Sequence, residues 1–160
     1  MTIYVPNQGE LGILRILKDR HDDPNDGGHF ELQLSTDFDD PPGIGENTTV
    51  ADVSGDGAYN ADFKGYMEHP NDRKPTIDNP TVVDGVAKMR MSISYYFDST
   101  ASTGENSNTC VCWWLTWYEP TGDQWYLLAV EALDPPVVFD ATHHAGESNA
   151  WVKTIDFTAS

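Results

Sequence analysis

The sequence predicts a mainly β protein, an antiparallel β-sandwich of jelly-roll-like arrangement with one short N-terminal helix. Residues 109–118 read TCVCWWLTWY, which is apolar on both faces of a strand. Such a strand is covered on both sides, here by a second sheet, the chain's own helix or a neighbouring subunit. Other segments alternate apolar and polar residues with the period of a strand, whereas Gly9–Arg20 is the one good helix candidate.

Length and composition indicate a single domain spanning residues 1–160, with an N-terminal arm and helix in residues 1–20. The chain is 39% hydrophobic and 11% aromatic, which allows a core without metal or disulfide support. Its net charge of −17 repels phosphate backbones and anionic membranes, so we expect neither nucleic acid nor a membrane as partner. The charge instead fits a partner with a basic surface, or divalent counterions.

The N-terminal residues MTIYVPNQGEL lack the charged start and apolar core of a secretion signal. No apolar run approaches the roughly 20 residues that a membrane helix requires. We therefore expect a soluble chain that is made in a cytoplasm.

The predicted helix Gly9–Arg20 is amphipathic. Its side chains form two neighbouring stripes, which are Leu11, Leu14, Leu17 and Lys18 on one side and Ile13, Ile16 and Arg20 on the other. Asn7 is the expected N-cap, and Glu10 completes a capping-box pattern. The Asp- and Gly-rich segment 22–28 ends the helix.

The first half of the chain contains fewer strand signals than the second. His29–Ser35 predicts a half-buried strand with Phe30, Leu32 and Leu34 inside and Glu31 and Gln33 in solvent. Thr36–Asn60 reads as a long acidic connection, which in a compact domain is typical of a functional or mobile loop. Asp62–Glu68 is a weaker strand, and three prolines make His69–Pro80 irregular.

The second half predicts an antiparallel meander of three consecutive strands, Val86–Phe97, Thr109–Tyr118 and Gln124–Ala132. A tight turn is expected at Glu119–Asp123. Pro135 and Pro136 are expected to end the third strand, and a short extended segment is expected to resume at Val137–Phe139. Ala150–Thr158 closes the fold, with Trp151, Lys153, Ile155 and Phe157 on one face.

Cys110 and Cys112 are the only cysteines. Period-two alternation places both on the same face of one strand, where a disulfide between them would be strained. We expect two reduced thiols buried as small hydrophobic groups. A metal site would need further ligands nearby, and the sequence offers none, so we expect no metal or other cofactor.

Three polar clusters have ordinary explanations beside functional ones. Asp52–Gly57 partly matches a calcium loop, but Phe63 stands where the bidentate Glu belongs, so a Gly-rich turn is favoured. We interpret the acidic group of Asp37, Asp39, Asp40 and Glu46 as a run of solvated surface charges. The pair His143–His144 reads as a surface turn rather than a metal site.

The sequence contains no recognisable catalytic motif. His69 and Asp72 beside Glu68 are the nearest approach to an acid–base pair, and no Gly-x-Ser-x-Gly elbow is present. We therefore expect no enzymatic activity and no catalytic residues.

The five tryptophans allow two interpretations. Exposed rings stack on sugars, so Trp113, Trp114, Trp117, Trp125 and Trp151 are candidates for a carbohydrate platform. Core and interface packing is favoured, because aromatic rings supply large buried areas and large exposed patches are rare in monomers. On this view Trp114 and Tyr118 lie at a helix or subunit contact.

The opening Val5-Pro6-Asn7-Gln8-Gly9-Glu10-Leu11, which runs into a short amphipathic helix, resembles the start of small virion structural proteins of tailed bacteriophages. The order of a strand such as Phe30–Leu34, an Asp/Thr-rich stretch and a β-rich C-terminal half is similar over most of the chain. The resemblance implies a capsid cement (decoration) protein that oligomerises and stabilises the shell. The alternative within the virion is a tail, baseplate or fibre component. A calcium-stabilised β-domain of another role is a separate alternative.

This resemblance sets expectations for partners and location. It implies a homo-oligomer, with a trimer favoured, that contacts the major capsid protein or other virion proteins and resides in the virion after assembly in the host cytoplasm. It transfers no catalytic residue. The expected docking elements are the N-terminal arm Met1–Pro6 and the helix. The predicted interface residues are Leu11 and Leu14 on the helix, and Trp114 and Tyr118 on the second face of the strand Thr109–Tyr118.

Overall fold

A computed structural model describes residues 3–35, 45–51, 67–68, 73–97, 107–140, 142–143 and 146–159. In this part of the chain one helix, α1 (Asn7–Asp22), precedes the strands. These are β1 (His29–Ser35), β2 (Met67–Glu68), β3 (Thr76–Ile77), β4 (Thr81–Val83), β5 (Val86–Phe97), β6 (Ser107–Glu119), β7 (Gln124–Asp140) and β8 (Trp151–Thr158). The fold is thus mainly β, with one N-terminal helix, as predicted.

The strands form two antiparallel sheets. One has the order β1-β6-β7. In the other, β5 is central, with β8 along one edge and β3 and β4 along the opposite edge, and β2 pairs with the C-terminal end of β5. The predicted hairpin between β6 and β7 is confirmed, but the three-stranded meander is wrong. Both edges of β5 are already occupied, so β5 and β6 belong to different sheets.

Both sheets and the helix contribute side chains to one main core. Its fully or nearly fully buried members include Leu14, Phe30, Leu32, Leu34, Ala87, Met89, Met91, Ile93, Leu115 and Phe139. The rings of Phe30 and Phe157 join the two sheets with centroids 5.7 Å apart. This burial confirms the predicted inward face of β1, and alternate residues of β5 and β8 face the same core.

Tyr95 provides a polar link between the sheets. Its hydroxyl donates to the backbone carbonyl of Leu32, and the Leu32 N–H donates to the carbonyl of Arg73 at 3.0 Å. Burial raises the pKa of the Tyr95 hydroxyl, which keeps it protonated as a donor. These bonds satisfy both backbone groups of Leu32 on the side of β1 that faces away from β6.

Strand β6 is irregular, and this changes the prediction for its cysteines. Cys110 pairs with Val137, and Cys112 pairs with Ala132. Residues 133–136 of β7 therefore form a four-residue bulge opposite Val111. The irregularity places Cys110 in the main core and Cys112 in a second cluster with Trp114. The prediction of a shared face is wrong, whereas burial of two free thiols is confirmed. Burial raises the pKa of Cys110 to about 12.

Strand β7 continues through Pro135 and Pro136 to Asp140, although these prolines were expected to end it. They lie in the bulge, where ladder hydrogen bonds are not made. A proline in a bulge therefore costs no backbone pairing. The β6–β7 turn itself matches the prediction, with Gly122 and Asp123 at positive φ of 84° and 52°.

The helix extends beyond the predicted Gly9–Arg20 at both ends. Its N-cap is Pro6 rather than Asn7, with no side-chain capping hydrogen bond. The Pro6 carbonyl accepts from Gly9 and Glu10 at 2.8 and 3.1 Å. The N-cap therefore lies one residue earlier than expected, and Asn7 is the first residue of the helix.

Two short strands were not predicted. β4 joins β5 through Asp84 and Gly85, whose φ values of 51° and 76° suit a two-residue hairpin. An Asp-Gly pair between valine-rich runs was the available signal. β3 interrupts the segment His69–Pro80, which was expected to be wholly irregular. It pairs Thr76 and Ile77 with β5.

Candidate functional site

The second face of β6 is covered by the chain itself. We call the side of the β1-β6-β7 sheet that carries Cys112 and Trp114 the outer face. Trp114 is 3% exposed and Cys112 is fully buried, and Val50, Leu127 and Val130 pack against them. The prediction that both faces of this strand are covered is confirmed, and part of the cover comes from residues 45–51.

The four predicted interface residues lie at different depths. Leu14 is fully buried in the main core, and Leu11 is partly buried against that core. Trp114 lies inside the chain, as described above. Tyr118 is half-buried on the outer face. A contact through Leu14 or Trp114 would require the fold to open, so the surface available for partners lies elsewhere.

Three rings form a cluster on the outer face, one from each strand of the sheet. His29, Tyr118 and Trp125 are cross-strand neighbours. Ring centroids are 5.4 Å apart for His29 and Tyr118, 4.7 Å for Tyr118 and Trp125, and 5.8 Å for His29 and Trp125. The ring planes are tilted or perpendicular to one another, so the three rings pack against each other and do not form a flat platform.

The cluster carries polar groups that fix its rings. The His29 ring nitrogens face the Gly27 carbonyl at 2.7 Å and the Glu31 carboxylate at 3.1 Å. Both partners are acceptors, so a ring N–H can donate to either of them. The Tyr118 hydroxyl donates to Asp123 Oδ1 at 2.9 Å, and this bond raises the Tyr118 pKa.

Two polar side chains on the outer face are deeply buried, and for Gln33 this differs from the prediction. Gln33 was expected in solvent but is 3% exposed, and Thr116 is fully buried. Gln33 Nε2 donates to Glu31, while Gln33 Oε1 and Thr116 Oγ1 have no hydrogen-bond partner among the residues that the structure describes. The period-two pattern identified the face of β1 correctly but gave no information about what covers it.

Among the described residues, the most numerous group of exposed large apolar side chains lies at the N-terminus. We call it the arm–helix surface and define it by Ile3, Tyr4, Val5, Ile13 and Ile16. Ile3 is 84% exposed and Ile16 is 62% exposed. A Cβ at Gly9 would meet Val5 at 3.5 Å, so the arm adjoins the helix there.

Helical spacing makes this surface continuous. Ile13 lies one turn after Gly9, and Ile16 lies three residues further along the same side. The opposite side of α1 packs Leu11, Leu14 and Leu17 against the core. The sequence grouped the two stripes correctly, and the structure shows that the isoleucine stripe is the exposed one.

The C-terminal end of α1 is fixed to the β6–β7 turn by Arg20. Its guanidinium donates two bonds to Glu119, at 2.8 and 2.9 Å, and one to Asp26 at 2.9 Å. It also lies over the Trp117 ring, 5.3 Å from the centroid. The hydrogen bond from Arg20 lowers the Glu119 pKa to about 2. This bidentate pair orients the helix relative to the sheet.

His21 connects the helix to β1 and to the segment before β3. Its Nδ1 accepts from the Phe30 N–H at 3.0 Å, and its Nε2 faces the Pro75 carbonyl at 3.0 Å. This pattern requires a neutral ring with the proton on Nε2. Burial is the main cause of a lowered His21 pKa. The ring lines an open cleft of about 510 Å³ with Lys74 and His29.

We expect the free energy of unfolding to fall as the pH drops below 6.5, the ordinary value for histidine. The folded-state pKa of His21 is lower than the unfolded one, so its contribution is fully present above 6.5 and is lost as pH falls through the folded pKa. Urea unfolding at about pH 7.5 and about pH 5.5 measures this difference.

The matched variants for this measurement are His21→Gln and His143→Gln. The first removes the buried ring, so the pH dependence in this window should decrease. The second removes an exposed ring that is 61% accessible and should reduce the pH dependence less than the first does. An equal pH dependence in wild type and His21→Gln would contradict the assignment.

The other predicted polar sites fall mostly outside the described residues. This applies to Asp52–Gly57, to Asp37, Asp39 and Asp40, and to His69, Asp72 and His144. Among the residues that the structure describes, no group of three or more His, Cys, Asp or Glu side chains is arranged to hold a metal ion. His143 Nδ1 instead lies 2.8 Å from Asp140 Oδ1, and this contact lowers the Asp140 pKa.

The tryptophans divide between core and surface. Trp113, Trp114 and Trp117 are buried and Trp151 is half-buried, so packing is their role. Trp125 is exposed at 39%. A carbohydrate platform built from all five rings is therefore wrong, because at least three of them are inaccessible.

Comparison with protein-family models, with curated proteins and with solved structures finds no match. No helix within the described ranges is both long enough and apolar enough to cross a membrane. The functional interpretation therefore depends on the surfaces of this chain and on the sequence resemblance given above.

Proposed function

We propose that this chain is a bacteriophage virion structural protein, most specifically a capsid cement protein that oligomerises and stabilises the shell. The arm–helix surface is the observation that carries the proposal. Five large apolar side chains lie together on a chain with net charge −17, and exposed apolar patches of this kind mark protein contact sites. The same segment carries the resemblance to small virion proteins.

The architecture is suited to this role. Both sheets contribute to one core, and we infer that they pack face to face as a β-sandwich. Tyr95 and the Arg20–Glu119 pair fix the helix and the first strand to this core. A rigid scaffold of this kind presents the arm–helix surface in one orientation, which is what attachment to a regular lattice requires.

The decisive test is binding to assembled shells. Empty shells formed by the capsid protein encoded beside this chain's gene are mixed with the purified protein and sedimented. We expect wild-type protein to sediment with the shells. Ile13→Asp and Ile16→Asp should each reduce binding at least tenfold, since each introduces a charge into the contact.

Val152→Asp is the matched control. Val152 is a β-branched side chain on β8 with 58% exposure, similar to Ile16, but it lies outside the arm–helix surface. Its substitution should leave shell binding unchanged. No sedimentation of wild type would overturn the cement proposal, and binding to purified tails instead would support the tail or baseplate alternative.

A carbohydrate-binding role is the second candidate, and Trp125 is the observation that favours it. Its ring is exposed beside Tyr118, with the carboxylates of Asp123 and Glu31 close to the same cluster. A sugar stacked on Trp125 should change the intrinsic tryptophan fluorescence, and Trp125→Ala should abolish that change. No response across a glycan panel would contradict this role.

A further inference from the structure

The N-terminal arm, Ile3–Pro6, has the character of an unpaired strand. It belongs to neither helix nor strand, and Pro6 has extended φ and ψ of −63° and 153°. Ile3 and Tyr4 are more than four-fifths exposed. Ile, Tyr and Val are the residue types that favour strands, so this arm is suited to pairing with a sheet edge.

The first half of β7, Gln124–Ala132, is an open sheet edge. Among the described strands, β7 pairs with β6 alone. Three large apolar side chains are exposed along it, namely Trp125, Tyr126 and Leu128. Proteins usually protect such edges with charges or proline, and here Glu131 is the one charged residue before the bulge.

Charge explains why these two segments are suited to each other. Two copies of a chain with net charge −17 repel each other over most of their surfaces. The arm carries no charged side chain, and neither does β7 from Gln124 to Val130. A contact between these segments therefore buries apolar area without placing carboxylates side by side.

We propose that the arm of one copy adds as a strand to the β7 edge of a second copy of this chain. The contact is β-strand addition, in which backbone hydrogen bonds provide affinity and side-chain fit provides specificity. The arm and the edge are different surfaces, so the contact is head-to-tail and closes into a ring when the rotation permits. Ile13 and Ile16 then remain available for the shell.

This inference deepens the proposed function, since it names the contact through which the cement protein oligomerises. Its test uses chemical cross-linking in solution, without shells. Cys110 and Cys112 are fully buried, so cysteines introduced by Tyr4→Cys or Tyr126→Cys are the accessible thiols. The two variants are mixed in equal amounts, with one of them uniformly labelled with ¹⁵N so that the chains differ in mass, and treated with a short bis-maleimide.

We expect a cross-linked product that contains one chain of each variant, and none from either variant alone. Product from Tyr126→Cys alone would overturn the proposal in favour of edge-to-edge pairing about a twofold axis. Product from Tyr4→Cys alone would overturn it in favour of arm-to-arm contact. Absence of any product would overturn it as well.

Sedimentation of the full chain provides the independent measurement. Wild type should be oligomeric, and Ile3→Lys and Leu128→Lys should each shift it to monomer. Val152→Lys, which places the same charge on an exposed position of β8, should leave the oligomer intact. A monomeric wild type, or an oligomer that persists in both arm and edge variants, would contradict the contact.

The outcomes separate this inference from the proposed function. A monomer that binds shells refutes the arm-to-edge contact and leaves the cement role standing. An oligomer that depends on the arm and on β7 but does not bind shells supports the contact and refutes the cement role.

Discussion

Replacing Phe30 by alanine is expected to lower the free energy of unfolding by about 3–5 kcal/mol. Phe30 is fully buried, and its ring contacts three elements at once. Centroid distances are 4.8 Å to Trp117 of β6, 5.7 Å to Phe157 of β8 and 5.8 Å to His21 of the helix. Alanine removes these contacts and leaves a cavity where the helix and both sheets meet.

Urea unfolding followed by far-ultraviolet circular dichroism measures this loss. Val152→Ala is the control, because it truncates a side chain that is 58% exposed and should change stability by less than about 1 kcal/mol. Similar losses for both variants would mean that Phe30 does not hold the central position described above.

Gly28→Ala is expected to lower the free energy of unfolding by about 1–3 kcal/mol. A Cβ at this position would lie 2.8 Å from Asp26 Oδ1, 2.9 Å from Arg20 Nη2 and 2.9 Å from Trp117 Cζ2. The two charged side chains can move, but the Trp117 ring is 7% exposed and packed in the core. Relief of the clash therefore disturbs the Arg20–Glu119 pair as well as the ring.

Gly12→Ala is the matched control and should have the opposite sign. Gly12 lies within α1, and a Cβ there meets nothing within 4 Å. Alanine should raise stability by about 0.5–1 kcal/mol, because it restricts the unfolded chain and favours the helix. Thermal unfolding of both variants is the measurement. A neutral Gly28→Ala would show that the close approach at Trp117 is easily relieved.

The elements that the sequence predicted best are those with a strong local period. Val86–Phe97 has the predicted bounds, and its core residues Met89, Met91, Ile93 and Tyr95 follow the alternation that is regular over twelve residues. β6 was identified correctly as a strand covered on both sides. In these segments the pattern of side chains reports burial directly.

The features that the sequence missed depend on distant residues. The bulge opposite Val111 arises where β6 meets residues 133–136 of β7, and neither segment alone indicates it. The assignment of β5 to another sheet results from its pairing with β8, more than fifty residues later. Adjacent strands in sequence were assumed to pair, which is a common arrangement but not a required one.

The candidate interface was only partly predictable. Helical spacing separated the leucine stripe from the isoleucine stripe, but either stripe alone is compatible with core packing. Apolar character selected Leu14 and Trp114, and the same character buries both inside the chain. The surface isoleucines were recognised as a group, and their exposure became visible only once the packing of α1 was known.

The pairing of β1 with β6 has a consequence for synthesis of the chain. His29 pairs with Tyr118, about 90 residues later, and ribosomes add roughly 5–20 residues per second. The nascent helix and first strand therefore exist for several seconds before their partner is made. During this interval Phe30, Leu32 and Leu34 lack the neighbours that bury them, and this is the stage at which a chaperone would be of most use to the growing polypeptide.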